Sequence, residues 1–168
     1  MLTYEVDGEP RGVTVNSFSS ISLDPPLVLV SLARKAKAAS FLGEVPFCVN
    51  VLGASQVDVA LNFAGRESER PIEWDLTGIA PRLTDPHAWL ECLPWQSYDG
   101  GDHVLFLGEV QRLSFDESEP LLFYSGSFHW RGDELDERGR SRRLAGTPEP
   151  VDESRLRELE GRFLTGWL

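Results

Sequence analysis

The sequence predicts a mainly β domain with short helices, a barrel or a sandwich, and three observations predict it. About six short strand-like runs recur between positions 13 and 124, set apart by turn residues such as Asp24-Pro25-Pro26, Pro46 and Gly100-Gly101-Asp102. The run Leu27-Val28-Leu29-Val30-Ser31-Leu32 is apolar at nearly every position, so both of its faces need cover, as inside a closed or covered sheet. A chain of 168 residues, 41% of them hydrophobic, can bury one core without disulfide staples or a structural metal.

In chain order, strands are expected at 13–18, 27–32 and 47–52. Two short helices are expected between strands. One is the Ala-rich stretch 37–42, and the other is 56–63, where Val59 and Phe63 stand four apart with Ala60 beside them. Residues 65–82 carry Gly, Pro and charges and read as a loop. The strand pattern returns at 88–95 and 103–113, and a last short strand falls at 121–124. Residues 131–150 are polar, without a periodic apolar face, and read as a linker. Asp152 then caps an amphipathic helix within 151–168, with Leu156, Leu159 and Phe163 at i, i+3 and i+7. The plan is one domain: a core over 1–130, the linker, and a helix that packs back on the core.

Charge and composition narrow the function. A formal charge of −11 repels phosphate backbones and anionic bilayers, so neither nucleic acid nor membrane is an expected partner. Cys48 and Cys92 have no CxxC spacing and no nearby histidine, which speaks against a metal site and fits buried thiols in a reducing compartment. The first twelve residues lack the apolar run of a secretion signal and no stretch approaches eighteen apolar residues, so a soluble, cytoplasmic protein is expected. No GxGxxG follows a strand, and GxxxxGK[ST], HExxH and GxSxG are missing.

Two features carry chemistry. The chain's two lysines both lie in Ala33-Arg34-Lys35-Ala36-Lys37-Ala38, directly after the buried strand. Three cations in that short stretch, at the start of a helical segment, could hold a phosphate by charge and by backbone N–H groups; the commoner meaning of such a run is a solvated loop. In the run from Gly12 to Ser20, strand alternation puts Thr14, Asn16 and Phe18 on one side and Val13, Val15 and Ser17 on the other. A polar row flanked by apolar positions fits a heteroaromatic ligand with donors and acceptors along its edge, or else an exposed barrel face.

The stretch GVTVNSFSSISLDPPLVLVSLAR at 12–34 closely resembles the signature of the short-chain flavin reductase family, whose fold is the FMN-binding split barrel. The likeness continues through Phe47-Cys48-Val49-Asn50-Val51-Leu52, Asp58-Val59-Ala60, Phe63-Ala64 and Trp89-Leu90-Glu91-Cys92. It closes with Gly101-Asp102-His103, Gly108-Glu109-Val110 and Pro120-Leu121-Leu122-Phe123-Tyr124. The resemblance implies an NAD(P)H-dependent reductase of FMN or FAD, with NADH or NADPH as hydride donor. It implies that Thr14, Val15, Asn16 and Ser17 line the isoalloxazine, with Asn50 and Val51 from the neighbouring strand. It places the phosphate at Ala33, Arg34, Lys35 and Lys37, where family hydroxyls are replaced by Ala36 and Ala38 and the cations and backbone amides bind alone. His103 matches the histidine on the nicotinamide side; without the resemblance it reads as a turn residue beside Asp102.

A homodimer and a monooxygenase partner that receives reduced flavin are further implications. The family's opening helix resembles the stretch from Pro150 to Gly166 here, so the resemblance also implies a circular permutation that moves that helix to the C-terminal end. A flavin-binding protein without reductase activity, and a pyridoxamine-phosphate-oxidase-like or haem-handling relative of the same barrel, are the alternative readings. His87 and His129, beside Trp and other aromatic residues, read as packing or surface groups rather than iron ligands.

Overall fold

The computed structural model describes residues 1–66 and 71–131, together with the backbone pairing of 134–135 with 141–142. Its strands are β1 (Leu2–Val6), β2 (Glu9–Val13), β3 (Ser19–Leu23), β4 (Pro26–Ala33) and β5 (Phe47–Val51), then β6 (Trp74–Asp75), β7 (Arg82–Leu83), β8 (Ala88–Gly100) and β9 (His103–Phe115). The hairpin β10 (Leu122–Tyr124) and β11 (Ser127–His129) follows, and then β12 (Glu134–Leu135) with β13 (Ser141–Arg142). One helix, α1 (Val57–Asn62), and a 3-10 turn at Lys37–Ser40 complete the described elements.

Seven strands form one antiparallel sheet in the order β2-β1-β5-β8-β9-β4-β3. The apolar run at 27–32 is β4, packed between β3 and β9, and Val30 is fully buried. The two outermost strands, β2 and β3, are neighbours in the chain, linked by residues 14–18. Such a link reaches no more than roughly 20 Å. The sheet must therefore curl until its edges face one another, which gives a barrel open along one seam, the expected split barrel.

The inward face is built by alternation along the strands. Leu2, Tyr4, Val28, Val30, Leu32, Phe47, Val49 and Phe106 form the main buried cluster. Gly108 of β9 sits under this cluster because the Phe47 ring and Cys92 occupy the space a Cβ would need. The other face of β1, β5 and β8 carries Thr3, Asn50 and Glu91, all fully buried under the segment around β7. Buried polar groups need partners, and among the described residues all of these have them but Glu91 Oε2, which makes no hydrogen bond and has only the Arg112 guanidinium at 3.4 Å. Thr3 Oγ1 donates to Pro81 O at 2.5 Å, Asn50 Nδ2 donates to Thr3 Oγ1 at 2.9 Å, and Leu83 N donates to Asn50 Oδ1 at 3.0 Å. Arg82 Nη1 donates to Glu91 Oε1 at 3.1 Å, and Arg82 also binds Asp75. The Thr77 hydroxyl and N–H, followed by Arg82, hold the Asp75 carboxyl well below the usual carboxylate range.

Several expectations are corrected. The strand expected at 13–18 does not exist: β2 ends at Val13, β3 begins at Ser19, and the polar row lies on irregular backbone between them. Alternation cannot assign its sides. The helix expected at 37–42 is a single 3-10 turn, and 56–63 shortens to α1 with Gln56 and Phe63 as its caps. The expected loop 65–82 contains β6 and the first residue of β7, and the last strand is half of the β10–β11 hairpin. Within the expected linker, Glu134–Leu135 pairs with Ser141–Arg142. The helix expected at 151–168, and with it the permutation, lies outside the described residues.

Candidate functional site

The segment 14–18 hangs between two anchors. At one end Thr14 N donates to Phe63 O at 3.2 Å and Thr14 Oγ1 donates to Ala60 O at 2.7 Å, tying it to the end of α1. At the other, Ser17 Oγ donates to Ser31 O at 2.8 Å and accepts Ser31 N–H at 3.0 Å. That contact continues the β3–β4 register, in which Ser19 faces Leu29 and Ser20 faces Val28. Residues 15 and 16 precede this contact, which lies two positions from Ala33 at the end of β4.

Beside this segment opens a cleft of about 570 Å³, lined by Thr14, Val15, Asn16, Phe18, residues 49–52 and the β10–β11 hairpin. The size falls within the usual range of small-molecule sites, roughly 300–1,000 Å³. The hairpin is held over the cleft by Leu121 N donating to Leu52 O at 2.8 Å and Ala54 N donating to Glu119 O at 2.8 Å. Most of the lining is apolar, with Leu121, Phe123 and Phe128 facing Val49 and Val51. The structure thus brings together Thr14, Val15, Asn16, Asn50 and Val51, as the sequence reading expects.

Two members of that reading take other roles. Ser17 is absent from the cleft lining, and its hydroxyl instead donates to the Ser31 carbonyl and accepts the Ser31 N–H. Asn50 reaches the cleft, but its amide is turned away into the Thr3–Leu83 network, so it shapes the wall and offers the ligand no side-chain hydrogen bond. Thr14 donates its hydroxyl proton to Ala60, which leaves it an acceptor toward a ligand. Asn16 is exposed at the mouth and has no hydrogen-bond partner among the described residues. The sequence reading misses the contribution of Leu121, Phe123 and Phe128; the apolar Leu121-Leu122-Phe123 run is the signal that carries it.

The cations divide. Lys37 lines a separate recess of about 690 Å³ between β1, β2 and the 3-10 turn, together with Arg11, Tyr4 and Phe41. Arg34 turns onto the β8–β9 turn, with Asp99 Oδ2 at 2.5 Å. Lys35 is exposed and close enough to Asp102 to lower its carboxyl, after the larger effect of His103. His103 faces Ala33 across the β4–β9 ladder, and its Nδ1 lies 2.7 Å from Asp102 Oδ1. Ala33, Arg34, Lys35 and His103 therefore share one end of the sheet. Among the described residues no cluster of His, Cys, Asp and Glu is placed to hold a metal ion, and no helix is long and apolar enough to cross a membrane.

Residues 1–132 match the family described as flavin reductase like domain. The chain belongs to that family. A NADH-dependent flavin reductase from Rhodococcus sp is 36% identical over 148 residues, covering 87% of this chain and 78% of the relative. The reductase subunit HsaB of a flavin-dependent monooxygenase from Mycobacterium tuberculosis is 33% identical over 153 residues, covering 79% of this chain and 81% of the relative. Among solved flavin reductase structures, the Streptomyces globisporus NADH:FAD oxidoreductase SgcE6 in complex with NAD and FAD fragments superposes with a TM-score of 0.70 at 35% identity, covering 88% of this chain and 85% of that one.

Proposed function

We propose that this chain is an NAD(P)H-dependent flavin reductase acting on FMN or FAD. The observation that carries the reading is the apolar cleft with acceptor and amide groups at its rim, adjoining a sheet end that bears Lys35 and His103. A flavin supplies the redox chemistry, accepting hydride from a reduced nicotinamide. The cleft residues bind and orient: the flat wall of Val49 to Leu52 suits a planar ring, and the Thr14 acceptor suits a ring N–H. Residues Leu121, Phe123 and Phe128 exclude water from one side. Among the described residues, Lys35 is the exposed cation at this end that no hydrogen bond or ion pair engages, so it would meet a phosphate there. His103, with Nδ1 engaged by Asp102, presents Nε2 to orient the carboxamide of the nicotinamide.

The similarity to monooxygenase reductase components supports a partner oxygenase that consumes the reduced flavin. A second copy of the chain is the proposed cover for β3, an edge strand whose Ile21 and Leu23 are 51% and 92% exposed.

The test is steady-state turnover of both nicotinamides with FMN, FAD and riboflavin. Lys35→Ala should weaken FMN by about tenfold, the worth of one charge-assisted hydrogen bond, and spare riboflavin. His103→Ala should chiefly impair use of the nicotinamide, lowering kcat as well as raising its KM. No turnover with any flavin would overturn the proposal.

A further inference from the structure

The Arg34 guanidinium is spent within the protein, on the turn that presents His103. Its Nε donates to Gly101 O at 2.7 Å and its Nη2 to Asp99 Oδ2 at 2.5 Å, while the Arg34 backbone N–H donates to Asp102 O at 2.9 Å. Asp99 takes the Gly101 N–H on its other oxygen at 2.8 Å, and Gly101 has φ +77°, a conformation that glycine adopts readily. Three bonds from one residue thus join the end of β4 to the β8–β9 turn. The partners are exposed, and exposed ion pairs contribute only about 0–1 kcal/mol. What the planar fork supplies is direction, because two donors at fixed angles meet two acceptors on the same turn.

We propose that Arg34, locked by Asp99, is a positioning residue that holds the loop following Ala33 against the turn that presents His103, and that it does not bind the flavin phosphate. The inference rests on the flavin-reductase reading. Ala33 and Lys35 flank Arg34, and Asp102 and His103 follow Gly101, so the latch joins the side that would hold the flavin's tail to the side that would hold the nicotinamide. Hydride transfer needs reacting atoms held about 3–3.5 Å apart, and small misplacements lower its rate steeply. A latch therefore acts on kcat, and it acts alike on every flavin, with or without a phosphate.

Kinetics of Arg34→Ala, Arg34→Lys and Asp99→Ala, with NADH against FMN and riboflavin, test this. Each variant should lower kcat by about tenfold for both acceptors, with KM for FMN within a factor of about two. Lysine keeps the charge and loses the fork, so it should not rescue, and the double variant Arg34→Ala/Asp99→Ala should be no slower than Arg34→Ala. A loss confined to FMN binding, rescue by lysine, or unchanged kinetics would each overturn the proposal. Deuterium exchange on the chain without ligand supplies a readout that does not depend on turnover: Asp99→Ala should speed exchange across 33–38, and unchanged exchange would overturn the latch. An inactive wild-type chain refutes the reductase reading, whereas the exchange experiment still decides the latch.

Discussion

Removing the Glu91 carboxylate should destabilise the protein far more than removing its half-exposed neighbour Arg112. Glu91 is fully buried; Arg82, itself 7% exposed in its side chain, lies 3.1 Å from one oxygen, and the half-exposed Arg112 lies 3.4 Å from the other. Gly78 packs directly on the carboxylate, leaving no room for water to replace it from that side. Breaking a buried pair by deleting one partner costs about 3–5 kcal/mol, because the other charge stays buried without its match. Arg82 retains Asp75, which places Glu91→Ala at the lower end, about 3 kcal/mol. For a domain of this size that is a fall in Tm of roughly 6–12 °C. Arg112→Ala loses an exposed partner and should cost at most about 1 kcal/mol. Urea unfolding gives the comparison, with the midpoint shifting at constant slope. A Glu91→Ala variant within about 1 kcal/mol of wild type would refute the claim that Arg82 depends on it.

Three further outcomes follow from the same geometry. Ser17→Ala leaves the Ser31 N–H and carbonyl without their partner and should lower stability by about 1–2 kcal/mol while weakening flavin binding, read together by thermal unfolding and fluorescence titration. Burial raises both thiols, Cys92 to about 12, so neither should react with a thiol reagent at pH 8 until denaturant is added, when both of the chain's cysteines should react. The Asp75 carboxyl is depressed in the folded state. Its contribution is therefore fully present above the ordinary carboxylate value, near pH 4, and is lost as pH falls toward its folded value. Acid titration of stability should show Asp75→Asn with a shallower decline than wild type between pH 4 and pH 2.

How much of this was legible in the sequence depends on whether a residue's partner is local. The β4 run could be read because continuous apolarity has one physical outlet, burial on both faces. The long β8–β9 hairpin could be read from alternation and its Gly-Gly-Asp turn. The backbone at 14–18 could not, since an irregular segment pinned at Thr14 and Ser17 shows the same residue alternation as a strand. Asn50 and Glu91 were equally opaque: polar residues usually point to water, and their partners Leu83 and Arg82 lie many positions away. Arg34 looked like its lysine neighbours because nothing local reveals Asp99, 65 positions on, as its counter-charge. In each case the composition of the site was visible, and its division of labour was set by contacts distant in sequence.

The gap between β2 and β3 gives the molecule a place where it can be adjusted without being unmade. Every other strand of the main sheet has ladder bonds on both sides, so widening the structure there would sacrifice them in rows. The segment that bridges the seam is held by a few hooks, from Thr14 to α1 and from Ser17 to β4. Exchanges at those two positions would therefore retune how bulky a ring the cleft admits, while the core around Phe47 and Val30 carries on undisturbed.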